Sequence, residues 1–266
     1  MVSGITPNGA YSMRITVLGC NASITGKLRT SCYQVDDDVL IDAGTGAGDL
    51  DLNQAIAIDT IFLTHSHLDH CCLLPMLVDT ACSFRDKPLT VYALPETITI
   101  LRENMFNGGL CPDYTLQPSP EQPYLRFEPI SIGEAIALKD RKFTALPAYH
   151  SIPCTGYRVD NGENSWVYSG DTNLCREFWE ALNLMDNLRY LLIETTFLNS
   201  NSAAADRSGH MTAKLLAQGL HLLHRSVELY IVHMEAGNED DIMREILHVA
   251  GEFQPIPLQR GESFEL

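Results

Sequence analysis

The stretch Thr64-His65-Ser66-His67-Leu68-Asp69-His70 sets four metal-type ligands, His65, His67, Asp69 and His70, within six residues, directly behind a strand-like run over residues 60–63. Such a cluster is costly unless something binds it. Imidazoles and a carboxylate gathered at a strand end lose hydration when buried, and the imidazoles repel one another when charged. A cation that accepts their lone pairs resolves both problems. In an extended segment alternate side chains share a face, so His65 and His67 fall side by side, and a turn after Leu68 aims Asp69 and His70 at a second nearby point. The spacing predicts two metal ions, not one.

The elements that must present this loop follow from the pattern around it. Strands are expected over 13–19, 31–35 and 39–42, then 60–63 with the ligand loop, a helix over 70–84, a strand over 89–94 and a helix opened by Pro95, proline being favoured at the first helical position. Residues 107–126, rich in Pro and Gly, read as a long loop lying over the site or at a subunit contact. Strands return over 127–132, 135–138 and 142–148. A hairpin over 155–159 and 166–169 turns at Asp160-Asn161-Gly162. Helices over 174–184, 212–224 and 239–250 then alternate with strands over 190–194 and 228–232. A strand-rich first half and an alternating second half fit two sheets sandwiched between helix layers. Asp42, His65, His150, Asp171 and His233 each end or follow an apolar strand, the placement by which sheet ends build one shared site. Asp42 either orients a ligand histidine or caps a turn.

The chain has 266 residues without a low-complexity linker, which reads as one domain over 1–266 with residues 1–12 a flexible leader. Its 18 Lys and Arg against 34 Asp and Glu give a formal charge of -16. An acidic surface repels polyanions, so long nucleic acid is an unfavourable partner while a small anion held by metals is not. Eight cysteines with no CxxC pair and no apolar N-terminal segment make a cytoplasmic location with reduced thiols the expectation, and no apolar run reaches membrane length. Cys71-Cys72, beside the ligands, read as packing residues, with redox activity the alternative.

In order, His65, His67, Asp69, His70, His150, Asp171 and His233 resemble the signature of the metallo-β-lactamase superfamily, His-x-His-x-Asp-His followed by a distant His, Asp and His. Within it, Leu-Ile-Asp-Ala-Gly-Thr-Gly (40–46), Thr-His-Ser-His-Leu-Asp-His (64–70), Ser-Gly-Asp-Thr (169–172), Ile-Glu-Thr-Thr-Phe (193–197) and Gly-His-Met-Thr (209–212) are most similar to the class II cyclic-nucleotide phosphodiesterases. The resemblance implies a four-layer αββα sandwich of two mixed β-sheets flanked by helices. It also implies two divalent ions, zinc first with manganese or iron as alternatives. One would be held by His65, His67 and His150, the other by Asp69, His70 and His233, with Asp171 bridging. The implied reaction is hydrolysis of a 3',5'-cyclic nucleotide, of the cAMP or cGMP type, to the 5'-monophosphate by a metal-bound hydroxide. Asp69 and His210 are the implied catalytic residues, His210 contacting phosphate or acting as general acid. Two positions depart from the family pattern: Leu73 stands where a small residue is usual, and Asn173-Leu174 replace Gly-Pro.

The expected partner is a small anionic phosphodiester, with no long nucleic acid and no membrane; a homodimer is left open. Competing readings share the ligands: tRNA 3'-end processing of the RNase Z kind, another small phosphodiester, thioester or lactam hydrolysis, and a non-hydrolytic di-iron oxygen or redox sensor, since the same donors suit iron. His210 also reads as a surface histidine near a helix start. His221, His224 and His248 read as surface or half-buried residues, and Arg29 as an anion contact or a surface ion pair.

Overall fold

The structure, a computed structural model, describes residues 12–266, so the leader expected over 1–12 lies, except for Ser12, outside the described residues. The first half of the chain forms β1 (Arg14–Gly19), β2 (Cys32–Val35), β3 (Val39–Ile41), α1 (Leu52–Ala57), β4 (Thr60–Phe62), α2 (Leu68–Cys71), α3 (Leu74–Cys82), β5 (Leu89–Ala93), α4 (Pro95–Asn104), the short β6 (Pro118–Ser119) and β7 (Gln122–Pro123), and β8 (Leu125–Pro129). The second half forms β9 (Ala135–Leu138), β10 (Arg141–Pro147), β11 (Thr155–Asp160), β12 (Ser165–Tyr168), α5 (Arg176–Asn183), β13 (Leu188–Glu194), α6 (Ser202–Ser208), α7 (Ala213–Leu220), β14 (Glu228–Val232), α8 (Glu239–Ala250), β15 (Ile256–Pro257) and β16 (Ser263–Glu265).

Two seven-stranded sheets result, ordered β16-β1-β2-β3-β4-β5-β8 and β15-β14-β13-β12-β11-β10-β9. Each is mixed. Strands β3, β4, β5 and β8 run parallel, as do β12, β13, β14 and β15, while the remaining neighbours are antiparallel. The sheets face each other across an aromatic core in which Phe62 stacks on Phe143 with ring centres 4.5 Å apart and Tyr33 meets Tyr168 at 4.7 Å. Outside, α1, α3 and α4 cover the first sheet, and α5, α7 and α8 cover the second. This is the expected αββα sandwich, each sheet buried on both faces. At one rim Arg141 of β10 crosses between the sheets to bind Asp36 at 2.9 Å and Asp38 at 2.7 Å in the β2–β3 turn.

The helix expected over 70–84 is two. Pro75 lacks a backbone donor and opens α3, while the ligand loop begins its own turn at Leu68. The 107–126 segment is not free loop. It carries the β6–β7 ribbon and is fastened to α3 by Tyr114, whose hydroxyl donates to Asp79 at 2.7 Å. Two helices unforeseen in the pattern are α1, which opens on a capping box between Asp51 and Gln54, and α6; the edge strands β15 and β16 were also unforeseen. Among the described residues no helix is long and apolar enough to cross a membrane.

Candidate metal centre

The C-terminal ends of β3, β4, β12, β13 and β14, together with that of β10, lie at one edge of the sandwich, where open α/β sheets hold their ligands. Asp42, His65, His150, Asp171 and His233 follow these strands by one to three residues. Asp42 and His233 both leave their strands with φ of 59°. That left-handed turn costs about 1–3 kcal/mol for a residue with a side chain and persists where surrounding contacts impose it. It swings both side chains out of the pleat and into the cluster.

Two groups form around Asp171. His65, His67, His150 and Asp171 present donor atoms within 4.8 Å of one another, and so do Asp69, His70, Asp171 and His233. Asp171 Oδ2 lies 3.6 Å from His65 Nε2 and 3.3 Å from His70 Nε2, and its Oδ1 lies 3.4 Å from His233 Nε2. Asp69 Oδ2 lies 3.4 Å from His70 and 3.1 Å from His233. His70, His65 and Asp171 are fully or almost fully buried.

The outward ring nitrogens reveal the tautomers. Thr64 gives its hydroxyl proton to Asp42, so its oxygen accepts from His65 Nδ1 at 3.0 Å. Asp42 Oδ2 accepts from His70 Nδ1 at 2.7 Å, the Gly209 carbonyl from His150 Nδ1 at 3.1 Å, and the Thr196 hydroxyl from His233 Nδ1 at 3.0 Å. With these four Nδ1 atoms donating outward, the four Nε2 atoms converge on the cluster, where His67 instead brings its Nδ1. They crowd one another: His150 Nε2 stands 3.1 Å from His67 Nδ1, and His70 Nε2 stands 3.4 Å from His233 Nε2. His65 Nε2 and Asp171 Oδ1 are buried with no hydrogen-bond partner. Crowded ring nitrogens and orphaned buried acceptors are costly in a protein interior and suit a divalent cation.

Without a metal the local fields divide the histidines, and a charged His70 carries on Nε2 a proton that a bound cation would displace. Burial opposes a charge on His70, but the carboxylates of Asp171, Asp42 and Asp69 outweigh it and push this imidazole well up. Burial, then the neighbouring His70, pushes His65 well down. Burial alone would raise Asp171, yet the imidazoles of His233 and His70 hold it well below the usual carboxylate range.

Beside the second group stands His210. Its Nδ1 donates to Glu194 Oε1 at 2.8 Å and its Nε2 lies 4.0 Å from Asp171 Oδ2. Burial works against its protonation, but the Glu194 carboxylate more than compensates and the imidazole is pushed up to about 9. Sequence reasoning overlooked Glu194 as a site residue, although it ends β13 just as the others end their strands. Asn173, where the family usually has Gly, ties site loops together: its side-chain amide donates to the His210 carbonyl at 2.8 Å and its backbone N–H to the Tyr149 carbonyl at 2.7 Å. Leu73 packs over Gly48. Cys71 is buried and donates to the Ser66 and His67 carbonyls, and burial pushes its thiol up to about 12, as expected of a packing residue. Arg29 pairs with Asp49 at 3.5 Å, and His221, His224 and His248 are exposed away from the cluster.

Residues 38–234 match the family model of the beta-lactamase superfamily domain. Nuclear ribonuclease Z of Triticum aestivum is 35% identical over 109 residues, covering 40% of this chain and 57% of that protein. Ribonuclease BN of Salmonella typhimurium is 32% identical over 124 residues, 45% of this chain and 38% of that protein. The chain thus spans about half or less of the length of these curated relatives. Among solved structures, unliganded yeast PDE1 superposes with a TM-score of 0.77 at 18% identity, over 96% of this chain and 99% of that one. The metallo-beta-lactamase fold protein YhfI of Bacillus subtilis gives 0.74 at 19% identity over 96% and 99%. Human tRNase Z, short form, gives 0.66 at 18% identity over 94% and 98%.

Proposed function

This chain belongs to the beta-lactamase superfamily, and on that premise we propose that it is a metal-dependent phosphodiesterase acting on a small anionic diester, a 3',5'-cyclic nucleotide being the favoured substrate. The observation that carries the reading is the Glu194–His210 pair set against the double cluster around Asp171. A plain thioester or lactam hydrolase has no need of a buried, carboxylate-backed imidazole at that place. A phosphodiester with a basic alkoxide leaving group does.

The residues that would hold two divalent ions are His65, His67 and His150 on one side and Asp69, His70 and His233 on the other, with Asp171 between. Zinc suits this set of nitrogens and carboxylates, and manganese or iron could replace it. Bound there, such ions supply positive charge for phosphoryl oxygens and make water a stronger acid. The chain's own part is positional and acid–base. Asp42 and Thr64 fix His70 and His65, Thr196 fixes His233, and Glu194 holds the His210 Nδ1 proton so that Nε2 faces the reacting group. A proton delivered from Nε2 would leave with the ribose oxygen.

A second reading, processing of tRNA 3' ends, is supported by the ribonuclease relatives. The formal charge of -16 speaks against it, since RNA binding rests on lysine and arginine contacts to phosphates. One panel separates them: 3',5'- and 2',3'-cyclic nucleotides, an aryl phosphodiester and a precursor tRNA, each assayed with added zinc, manganese or iron. Preference for a 3',5'-cyclic nucleotide supports the proposal. Cleavage confined to the tRNA overturns it, and a coloured iron protein inert on the whole panel would point to a redox role.

A further inference from the structure

Helical backbone runs almost unbroken from Leu68 to Cys82, because Cys72 and Leu73 between α2 and α3 keep helical angles. Leu68, Cys72, Met76 and Asp79 recur at steps of four, four and three, so they form a single stripe along this run. The stripe starts inside the metal cluster's own loop, Leu68 being flanked by His67 and Asp69. Leu68 and Met76 are 67% and 64% exposed. Facing them is the turn after α4, where Leu110 is 71% exposed beside Pro112. That wall is built and fastened: the Cys111 N–H donates to the Met105 carbonyl at 3.1 Å, the Gly108 N–H to the Cys111 carbonyl at 2.9 Å, and Tyr114 to Asp79. Between the two walls lies a groove of about 520 Å³, a volume typical of small-molecule sites.

Large exposed apolar side chains are unremarkable when scattered, whereas a contiguous group lining one groove marks a binding surface. This groove contains leucine, methionine and proline side chains, one carboxylate and no Lys or Arg, so it is not where a phosphate binds. On the phosphodiesterase reading a phosphate would sit at the histidine cluster, and Leu68, between His67 and Asp69 in the chain, is the residue that joins that cluster to the groove. A second copy of the chain is the rival occupant. Two copies each carrying a charge of -16 would meet there with Asp79 on both sides, and such self-repulsion opposes pairing.

We infer that this groove is the subsite for the uncharged organic group of the substrate diester, with Leu68, Met76 and Leu110 determining specificity. The inference rests on the phosphodiesterase reading above, and it names the part of the substrate that reading leaves open. The test uses zinc-loaded protein and two diesters of equal charge, dimethyl phosphate and diphenyl phosphate, with dissociation constants from calorimetry. Diphenyl phosphate should bind at least about tenfold more tightly, and the double variant Met76→Gln, Leu110→Gln should cut that preference to about threefold or less by removing apolar contact. Leu184→Gln, at a position 84% exposed elsewhere on the surface, should keep the preference. Equal affinity for the two diesters in the unaltered protein, a preference untouched by the double variant, or a dimer in sedimentation that the double variant dissociates would each overturn the inference. Turnover is scored separately. A protein that prefers diphenyl phosphate in this way yet cleaves no phosphodiester supports the groove and refutes the reaction.

Discussion

The carboxylate of Glu194 and the imidazole of His210 are joined at 2.8 Å, and the other oxygen of that carboxylate accepts from Thr196, whose own oxygen faces His233 Nδ1 at 3.0 Å. One buried acid thus sets the tautomers of two histidines, His210 directly and His233 through a hydroxyl. Both present Nε2 toward Asp171. A single side chain at the end of β13 therefore couples the histidine assigned to acid catalysis with one assigned to metal binding.

Glu194→Gln should lower turnover of a cyclic nucleotide, because it removes the charge that favours a protonated His210, and it should lower the melting temperature as well, because both carboxylate oxygens also accept from backbone N–H groups, those of Thr172 and Met211. His210→Ala should go further, by about 10² to 10⁴, the usual worth of a general acid. Metal content should stay unchanged in His210→Ala. On an aryl phosphodiester, which leaves as a stabilised phenolate, the loss should be much smaller. Equal losses on both substrates, measured by steady-state kinetics, would move His210 from proton donor to phosphate contact.

Asp171→Asn is expected to depress metal content and, with it, the thermal stabilisation that added zinc confers. Anything that binds only the folded state raises its stability in proportion to the logarithm of ligand over dissociation constant. The unaltered protein should gain several degrees in melting temperature on zinc addition and the variant distinctly less. Metal analysis of the same samples provides the count, and full metal content in the variant would remove Asp171 from its bridging place.

How much of this was legible in the sequence follows from how each residue is placed. The ligands follow strand ends, so the local run of apolar residues announces them: β4 delivers His65, β12 delivers Asp171 and β14 delivers His233. Glu194 obeys the same rule at the end of β13 but lies inside the string Ile-Glu-Thr-Thr-Phe, with no second ligand beside it to draw attention. The pairing of β16 with β1 joins Phe264 to Ile15, a contact between chain ends that no local pattern encodes. The groove was hidden for the same reason, since Leu110 and Met76 meet only after α4 has folded back. Arg141 lies just before the strand expected over 142–148, with nothing local to single it out, yet it is a buried tie between the two sheets.

Arg141 leads to a prediction about acid stability. Burial would raise the Asp38 carboxyl, but hydrogen bonds from Arg141 and Lys139 prevail and hold it below the usual range. A folded-state value below the unfolded one means stability that is present above about pH 4 and lost as pH falls through the folded value. Arg141→Met should cost about 3 kcal/mol near neutrality, since it removes the buried guanidinium that joins Asp36 and Asp38 and leaves the exposed Lys139 on Asp38. The gap in melting temperature between variant and parent should narrow as pH drops below about 4. Melting curves of metal-free protein from pH 7 to 3 check this, and a gap that stays constant would mean the tie works by packing alone.

The last prediction concerns a residue with no side chain. Gly209 has φ of 73°, and a Cβ placed there would stand 2.7 Å from His150 Cα and 2.8 Å from the Ser151 nitrogen. Its carbonyl accepts from His150 Nδ1, so the residue both approaches His150 and sets its tautomer. Gly209→Ala must therefore move backbone against backbone, on top of about 1–2 kcal/mol for a left-handed residue with a side chain. The chain after β10 would shift, turning His150 away from His65 and His67. Loss of a ligand's orienting partner typically weakens metal binding about 10- to 100-fold. That weakening should fall on the site formed by His65, His67 and His150, while Asp69, His70 and His233 keep theirs. Zinc titration with a competing chelator distinguishes the outcomes: one tight and one weakened ion per chain is expected, and two unchanged ions would show that the loop absorbs the methyl group without moving His150.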